Sequence, residues 1–217
     1  MKPRCEEIFS ALFTRYPALE PARGDVLAAY DMICGAYRAG SKLLICGNGG
    51  SAADADHIVG ELMKGFMLPR RLTDAAAKRF AGFGAEGTAL AAGLQGALPA
   101  IALHMHGALN TAGANDADAA MVFAQQVYGY GRAGDLLVAL STSGNARNVC
   151  AALMTAHALG MRTLGITGAG GGAMAAHCDA CIRLPYTETY AIQEATLPVY
   201  HALCAMVEEE FFGVEVL

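Results

Sequence analysis

The sequence is poor in charge. Only 16% of its 217 residues are Asp, Glu, Lys or Arg, and they leave a formal net charge of −5. A mildly acidic chain lacks the basic footprint of nucleic-acid binding, so no nucleic-acid partner is expected. No apolar run is long enough to span a bilayer, and the start, MKPRCEEIFSALF, lacks the pattern of a secretory signal. No membrane partner is expected, and the location is read as cytoplasmic. The seven cysteines are odd in number and follow no framework, which reads as reduced thiols. No linker or internal repeat divides the chain. It is read as one domain over 1–217, with helices over 1–40 and an α/β core plus C-terminal helix over 41–217. What is abundant is apolar: 54% hydrophobic residues and 26 glycines exceed the need of one monomer core, so helices buried between subunits are expected.

Hydrophobic runs and turn residues set the expected elements. Helices are expected over Arg4–Tyr16 and Gly24–Ala39, where Val26, Tyr30, Ile33 and Tyr37 follow helical spacing. Short apolar strands are expected at Leu43–Cys46, Pro99–Leu103, Asp135–Leu140, Arg162–Thr167 and Ala180–Leu184. Between them lie a helix opening at Ser51, one over Ala117–Gly129, and one ending at Gly160. A long helix, Thr189–Phe211, closes the chain. The connection Met63–Leu98 is expected to hold one or two helices, with Lys64, Arg70, Arg71, Lys78 and Arg79 as a solvated face. Alternation of strands and helices gives an α/β fold: a doubly wound, mainly parallel five-stranded sheet flanked by helices.

The chemistry centres on KLLICGNGGSAADADHIVGEL, Lys42–Leu62. A buried strand runs into Gly47-Asn48-Gly49-Gly50, where ligand and backbone can approach closely, and then into a helix N-terminus suited to an anion. Ser51 is the expected N-cap, with Asp54 completing an approximate capping box. His57 and Glu61, at i and i+4, share a helix face as a metal-capable or acid–base pair. Gly47–Ala52 and Gly168–Ala173 both satisfy the dinucleotide G-x-G-x-x-G/A pattern. Such a site also needs an acidic residue closing the next strand, and none is present between Leu62 and Asp74, which argues against a dinucleotide. Ser141-Thr142-Ser143, after the DLLVAL strand, supplies hydroxyls and backbone donors for a phosphate. Gln193, Glu194 and His201 form a second polar set on the otherwise apolar last helix. Cys178 and Cys181 are half a zinc framework and read as buried thiols. His104 and His106 are placed on one strand face with ordinary polar contacts, and His157 and His177 are given no role.

CGNGGSAADADHIVGEL, Asn115–Asp116, STSGNARNV, GITGAGGG and IQEATLPVYHALCAMVE together resemble the sugar isomerase (SIS) domain. Within it they are similar to the phosphoheptose isomerases, which interconvert sedoheptulose 7-phosphate and D-glycero-D-manno-heptose 7-phosphate. The resemblance implies a homotetramer and a phosphosugar substrate contacted by Asn48, Gly49, Gly50, Ser51, Glu61, Asn115, Asp116, Ser141, Thr142, Ser143 and Gln193. It implies zinc on His57, Glu61, Gln193 and His201, with Glu61 and His201 as acid–base residues. An enediol mechanism requires such a pair. Ala146, Tyr190 and Thr196 stand where that family usually has serine, aspartate and histidine. The alternative is a non-catalytic SIS protein, a phosphosugar sensor or an adaptor like the replication-initiator-associating relatives. Such a protein has no need of His57, Glu61, Gln193 and His201.

Overall fold

The structure, a computed structural model, describes residues 1–214. Helices α1 (Pro3–Arg15) and α2 (Arg23–Arg38) precede strand β1 (Leu43–Cys46) and helix α3 (Gly50–Met63). Two short helices, α4 (Asp74–Lys78) and α5 (Gly84–Gly93), fill the following connection. Then come β2 (Ala100–Ala102), α6 (Gly107–Asp116), α7 (Val122–Tyr130), β3 (Leu136–Leu140) and α8 (Arg147–Ala158). Strands β4 (Arg162–Thr167) and β5 (Ala180–Arg183) complete the sheet, and α9 (Thr189–Phe212) covers it. The strand order is β2-β1-β3-β4-β5, and every pairing is parallel.

The strands are apolar throughout because both faces are covered. Leu43, Ile45, Leu136, Val138 and Leu164 point into a core shared with α1, α2, α3 and α9. Their neighbours Leu44, Cys46, Leu137 and Ala139 point to the opposite core, under α7 and α8. The period of two along each strand thus divides the helices into two layers.

Several expectations need correction. Ser51 does not cap α3: the helix starts at Gly50, and Gly49, at φ +55°, stands at the N-cap with no side-chain bond. Asp54 makes no capping box and faces Tyr200 instead. The helix expected over Ala117–Gly129 begins later, at Val122, after an Asp118-capped 3-10 turn. Helix α6 was not expected; its sequence, GALNTAGAND, buries no residue and has no apolar periodicity to read. His104 lies in a 3-10 turn beyond β2 and faces Asp56 at 2.8 Å, so it shares no strand face with His106.

Arg70 corrects the solvated-face reading of the long connection. It is fully buried, and its Nε lies 2.7 Å from Glu208 Oε1. Its other nitrogens donate to the carbonyls of Glu61 (2.8 Å) and Leu62 (2.6 Å), near the C-terminus of α3. Glu208 also accepts from the backbone N–H groups of Phe66, Met67 and Leu68. One buried ion pair therefore ties the connection to α3 and α9, the two helices that carry the candidate chemistry.

Candidate active site

The loops after β1 and β3 open at the carboxyl ends of adjacent strands, where the chain order reverses direction. Open parallel sheets take ligands at that crevice. A cleft of about 290 Å³ lies there, lined by Asn48–Ser51, Leu140–Ser143, Ala146, Thr189 and Gln193. It receives the N-terminal ends of three helices, α3, α8 and α9, and none has a side-chain cap. Their positive dipole ends favour an anion, and no lysine or arginine lines the cleft. Larger clefts lie elsewhere, one of about 760 Å³ between α4 and α5 and one at the N-terminal residues, but neither is at the strand ends.

Close backbone packing holds the loops. Gly144 has φ +67°, and a Cβ there would stand 2.2 Å from the Gly171 carbonyl oxygen. The second glycine-rich loop, Gly168–Gly172, thus backs the Ser141–Gly144 turn: Gly168 N–H donates to Thr142 O, and Met174 N–H to Gly144 O. Asn145 joins the two through its amide, with Oδ1 accepting from Ala173 N–H. Asn48 is clasped by Asn148 through a reciprocal amide pair, both bonds 2.9 Å. Asn148 lies within the STSGNARNV motif but escaped the sequence reading, because partner choice across 100 residues has no local signature.

The acid–base cluster lies further along α3. His57 Nε2 stands 3.1 Å from Glu61 Oε1 and 3.4 Å from His201 Nε2. Glu61 is almost buried, and its Oε2 has no hydrogen-bond partner. Burial, then the neighbouring His57, lowers the His201 pKa below the ordinary histidine value, with Glu61 opposing. Phe66 and Tyr200 flank His201 at ring separations of 5.6 and 5.0 Å.

The expected residues are not all brought together. Gln193 packs its amide against Gly50, so close that a Cβ on Gly50 would lie 2.4 Å from Nε2. That places Gln193 at the anion cleft, seven residues before the level of His57 on α3. α9 continues as one helix through Pro198. Asn115 and Asp116 bond to each other at 2.8 Å on the exposed end of α6, outside the residues lining the cleft. Tyr190 is exposed, whereas Thr196 is buried with its hydroxyl on Ile192 O. Cys178 and Cys181 are half-buried free thiols.

Among the described residues, no group of three or more His, Cys, Asp and Glu meets the arrangement of a metal site. The pairs within the cluster do have suitable spacing: ligands on a tetrahedral ion at 2.0–2.1 Å sit about 3.3 Å apart. The partnerless Glu61 Oε2 and the two converging Nε2 atoms are donors that suit zinc.

The chain is similar to known proteins in sequence and in fold. A SIS domain model matches residues 83–168. The phosphoheptose isomerase of Rhodospirillum rubrum is 42% identical over 193 residues, 89% of this chain and 86% of that protein. The structure of phosphoheptose isomerase from Neisseria gonorrhoeae matches with TM-score 0.71 and 31% identity, over 94% of this chain and 98% of that one. That from Francisella tularensis gives TM-score 0.73 at 26% identity, over 96% and 100%.

Proposed function

Since the chain belongs to the phosphoheptose isomerase family of SIS-domain proteins, we propose that it interconverts sedoheptulose 7-phosphate and D-glycero-D-manno-heptose 7-phosphate through an enediol. The single observation that carries the reading is the distance between an anion cleft and an acid–base cluster on the same two helices. Gly50 and His57 are separated by seven residues, about 10 Å of helix rise. A seven-carbon sugar phosphate has eight bonds from C1 to phosphorus, which at about 1.2 Å per bond of extended chain is also about 10 Å. Phosphate at the helix ends therefore puts C1 and C2 level with the His57 cluster.

The residues divide the work accordingly. Backbone and hydroxyl groups of Asn48–Ser51 and Ser141–Ser143 hold the phosphate. Ala146 offers no hydroxyl there; the missing neutral bond costs about 0.5–1.5 kcal/mol, which the remaining donors outweigh. Gln193, on Gly50, is assigned to the substrate. Glu61 takes a proton from C1 of the ketose and returns it to C2: its carboxylate is almost buried and its Oε2 accepts no hydrogen bond, with Lys64 Nζ 4.0 Å away. His201 protonates O2 as the enediol forms and accepts the proton from O1 as it collapses; an imidazole held neutral by burial can do both. Phe66 and Tyr200 pack against the His201 ring and hold it in place.

His57, Glu61 and His201 would hold zinc, which when bound polarises the substrate carbonyl. Supplied with sedoheptulose 7-phosphate, the purified protein should yield the aldose by NMR, and metal analysis should find near-stoichiometric zinc. His57→Ala should lose both. Full activity after exhaustive chelation would remove zinc and leave Glu61 and His201 as a metal-free pair. Absence of aldose product would overturn the reaction itself. The rival reading, a non-catalytic sensor or adaptor, leaves the His57–Glu61–His201 cluster without a purpose.

A homotetramer completes the proposal. Phe83, Leu90, Met105, Tyr128 and Met154 are large apolar side chains exposed on the single chain, and such surface favours partners. Sedimentation should show four chains per particle at micromolar concentration; a stable monomer contradicts this. The free state of all seven thiols is in keeping with a cytoplasmic location. No helix among the described residues is long and apolar enough to cross a membrane.

A further inference from the structure

Cys178 and Cys181 lie outside the residues that line the anion cleft. Cys181 stands in β5, an edge strand, opposite Gly165 of β4. Cys178 ends the 3-10 turn Ala173–His177 that leads towards it. Between them the chain bends at Asp179. Thr163 holds that bend: its carbonyl accepts from Asp179 N–H at 3.0 Å, and its own N–H donates to Asp179 Oδ2 at 2.8 Å. The bend turns both sulfurs to one place. A Cβ on Gly165 would stand 2.7 Å from Cys178 Sγ and 3.1 Å from Cys181 Sγ, so the two thiols share the space left by the glycine's missing side chain.

The two sulfurs are not equivalent. The Cys178 S–H is shared between the Met174 carbonyl, 3.2 Å away, and the Cys181 sulfur. That second contact pulls the Cys181 thiol below its ordinary pKa; burial opposes the fall, and the Arg183 charge adds to it. Cys178 moves the other way, raised by the same contact and by burial. Arg183 is two residues beyond Cys181 in β5 and so shares its face of the strand. Cys5, Cys34, Cys46 and Cys204 are buried, whereas Cys178 and Cys181 are half-buried and within reach of a small solute. A sulfur that favours the thiolate, beside a cation and against a second thiol, is the arrangement of an oxidisable pair.

We propose that Cys178 and Cys181 form a redox-active dithiol, in which Cys181 attacks a small hydroperoxide and Cys178 closes the disulfide. The Cys181 thiolate attacks one oxygen of hydrogen peroxide and the O–O bond breaks. The other oxygen leaves as hydroxide, which takes a proton from solvent, and Cys181 becomes a sulfenic acid. The Cys178 sulfur then attacks the Cys181 sulfur, the S–O bond breaks, and the oxygen leaves as water with the Cys178 proton. Two thiols lose two electrons, and the peroxide becomes two waters. The open space at Gly165 lets the sulfurs close to the ~2.05 Å of a disulfide. The pair reacts in this way whether or not the chain isomerises a sugar phosphate.

Fully reduced, full-length protein exposed to equimolar hydrogen peroxide tests this, with the remaining thiols alkylated and the peptides read by mass spectrometry. Cys178 and Cys181 should disappear together into one bond within the chain, about 10-fold faster than Cys150, a half-buried thiol whose pKa burial raises. Dithiothreitol should restore both. In Cys178→Ser, dimedone should trap a sulfenic acid at Cys181; in Cys181→Ser, Cys178 should react no faster than Cys150. Thermal melts check that each variant is folded, and the wild-type result stands without them. Oxidation of the pair at the rate of Cys150 overturns the proposal. So does a disulfide between chains, separate oxidation of the two sulfurs without a bond, or a Cys178 that reacts as fast in Cys181→Ser as in the wild type.

Discussion

Glu61→Gln should lower kcat by about 10²–10⁴-fold, the range attributable to a positioned general base, with KM changed only a few-fold. The amide has the shape of the carboxylate and can keep a contact to His57 Nε2, which stands 3.1 Å from Glu61 Oε1. It cannot accept a proton from carbon. The phosphate, which sets most of the binding, is held at the cleft between the β1 and β3 loops, about 10 Å of helix rise before the His57–Glu61 pair. The loss should therefore appear in turnover. Steady-state kinetics on the two variants Glu61→Gln and Glu61→Asp checks it: the shorter carboxylate should keep part of the rate, and a Gln variant within tenfold of wild type, about 1.4 kcal/mol in barrier, would exclude Glu61 as the base.

The second large effect is on stability. Glu208→Ala should cost about 3–5 kcal/mol, the usual result of removing one partner of a buried ion pair. The Arg70 guanidinium would be left charged in a site with no solvent access. Three backbone N–H groups, of Phe66, Met67 and Leu68, would lose their acceptor as well. For that reason removing Arg70 too should restore little, unlike an isolated buried pair. For a domain of this size each kcal/mol is about 2–4 °C in Tm, so differential scanning calorimetry should record a drop of about 6–20 °C. Glu208→Gln keeps one acceptor oxygen and should fall between the two. A Glu208→Ala protein that melts within about 1 °C of wild type would show that the clasp adds nothing.

Local signals in the sequence were strong where one element decides its own structure. Four-residue apolar runs such as Leu43–Cys46 announced strands buried on both faces, and β1 and β4 have the expected bounds. The spacing of His57 and Glu61 brought them together as expected, since i and i+4 share a helix face whatever surrounds them. The glycine loop and the three hydroxyls after DLLVAL meet in one cleft because both end adjacent parallel strands.

What failed depended on distant partners or on weak periodicity. Arg70 reads as a surface charge until Glu208, 138 positions away, is seen to neutralise it. Gln193 was expected beside the histidines; its amide lies against Gly50, about two turns before His201 on α9. Helix α6 has no apolar spacing to read and carries two glycines, and its Asn115 and Asp116 face each other at an exposed end. The resemblance to phosphoheptose isomerases gave those two residues a substrate role that the single chain does not display.

The claim that joins these observations is that Glu61 moves a proton between C1 and C2 of a sugar phosphate anchored at the three helix ends. Isomerisation in D₂O tests it most directly, with the aldose product analysed by NMR. A single base working through an enediol exchanges its proton with solvent, so deuterium should appear at C2 of the product, at up to about one atom per turnover. Glu61→Gln should slow product and label together, by the same factor of about 10²–10⁴. Aldose formed by the wild-type protein with no deuterium at C2, however long the intermediate is exposed to solvent, would point to direct hydride transfer and contradict the account.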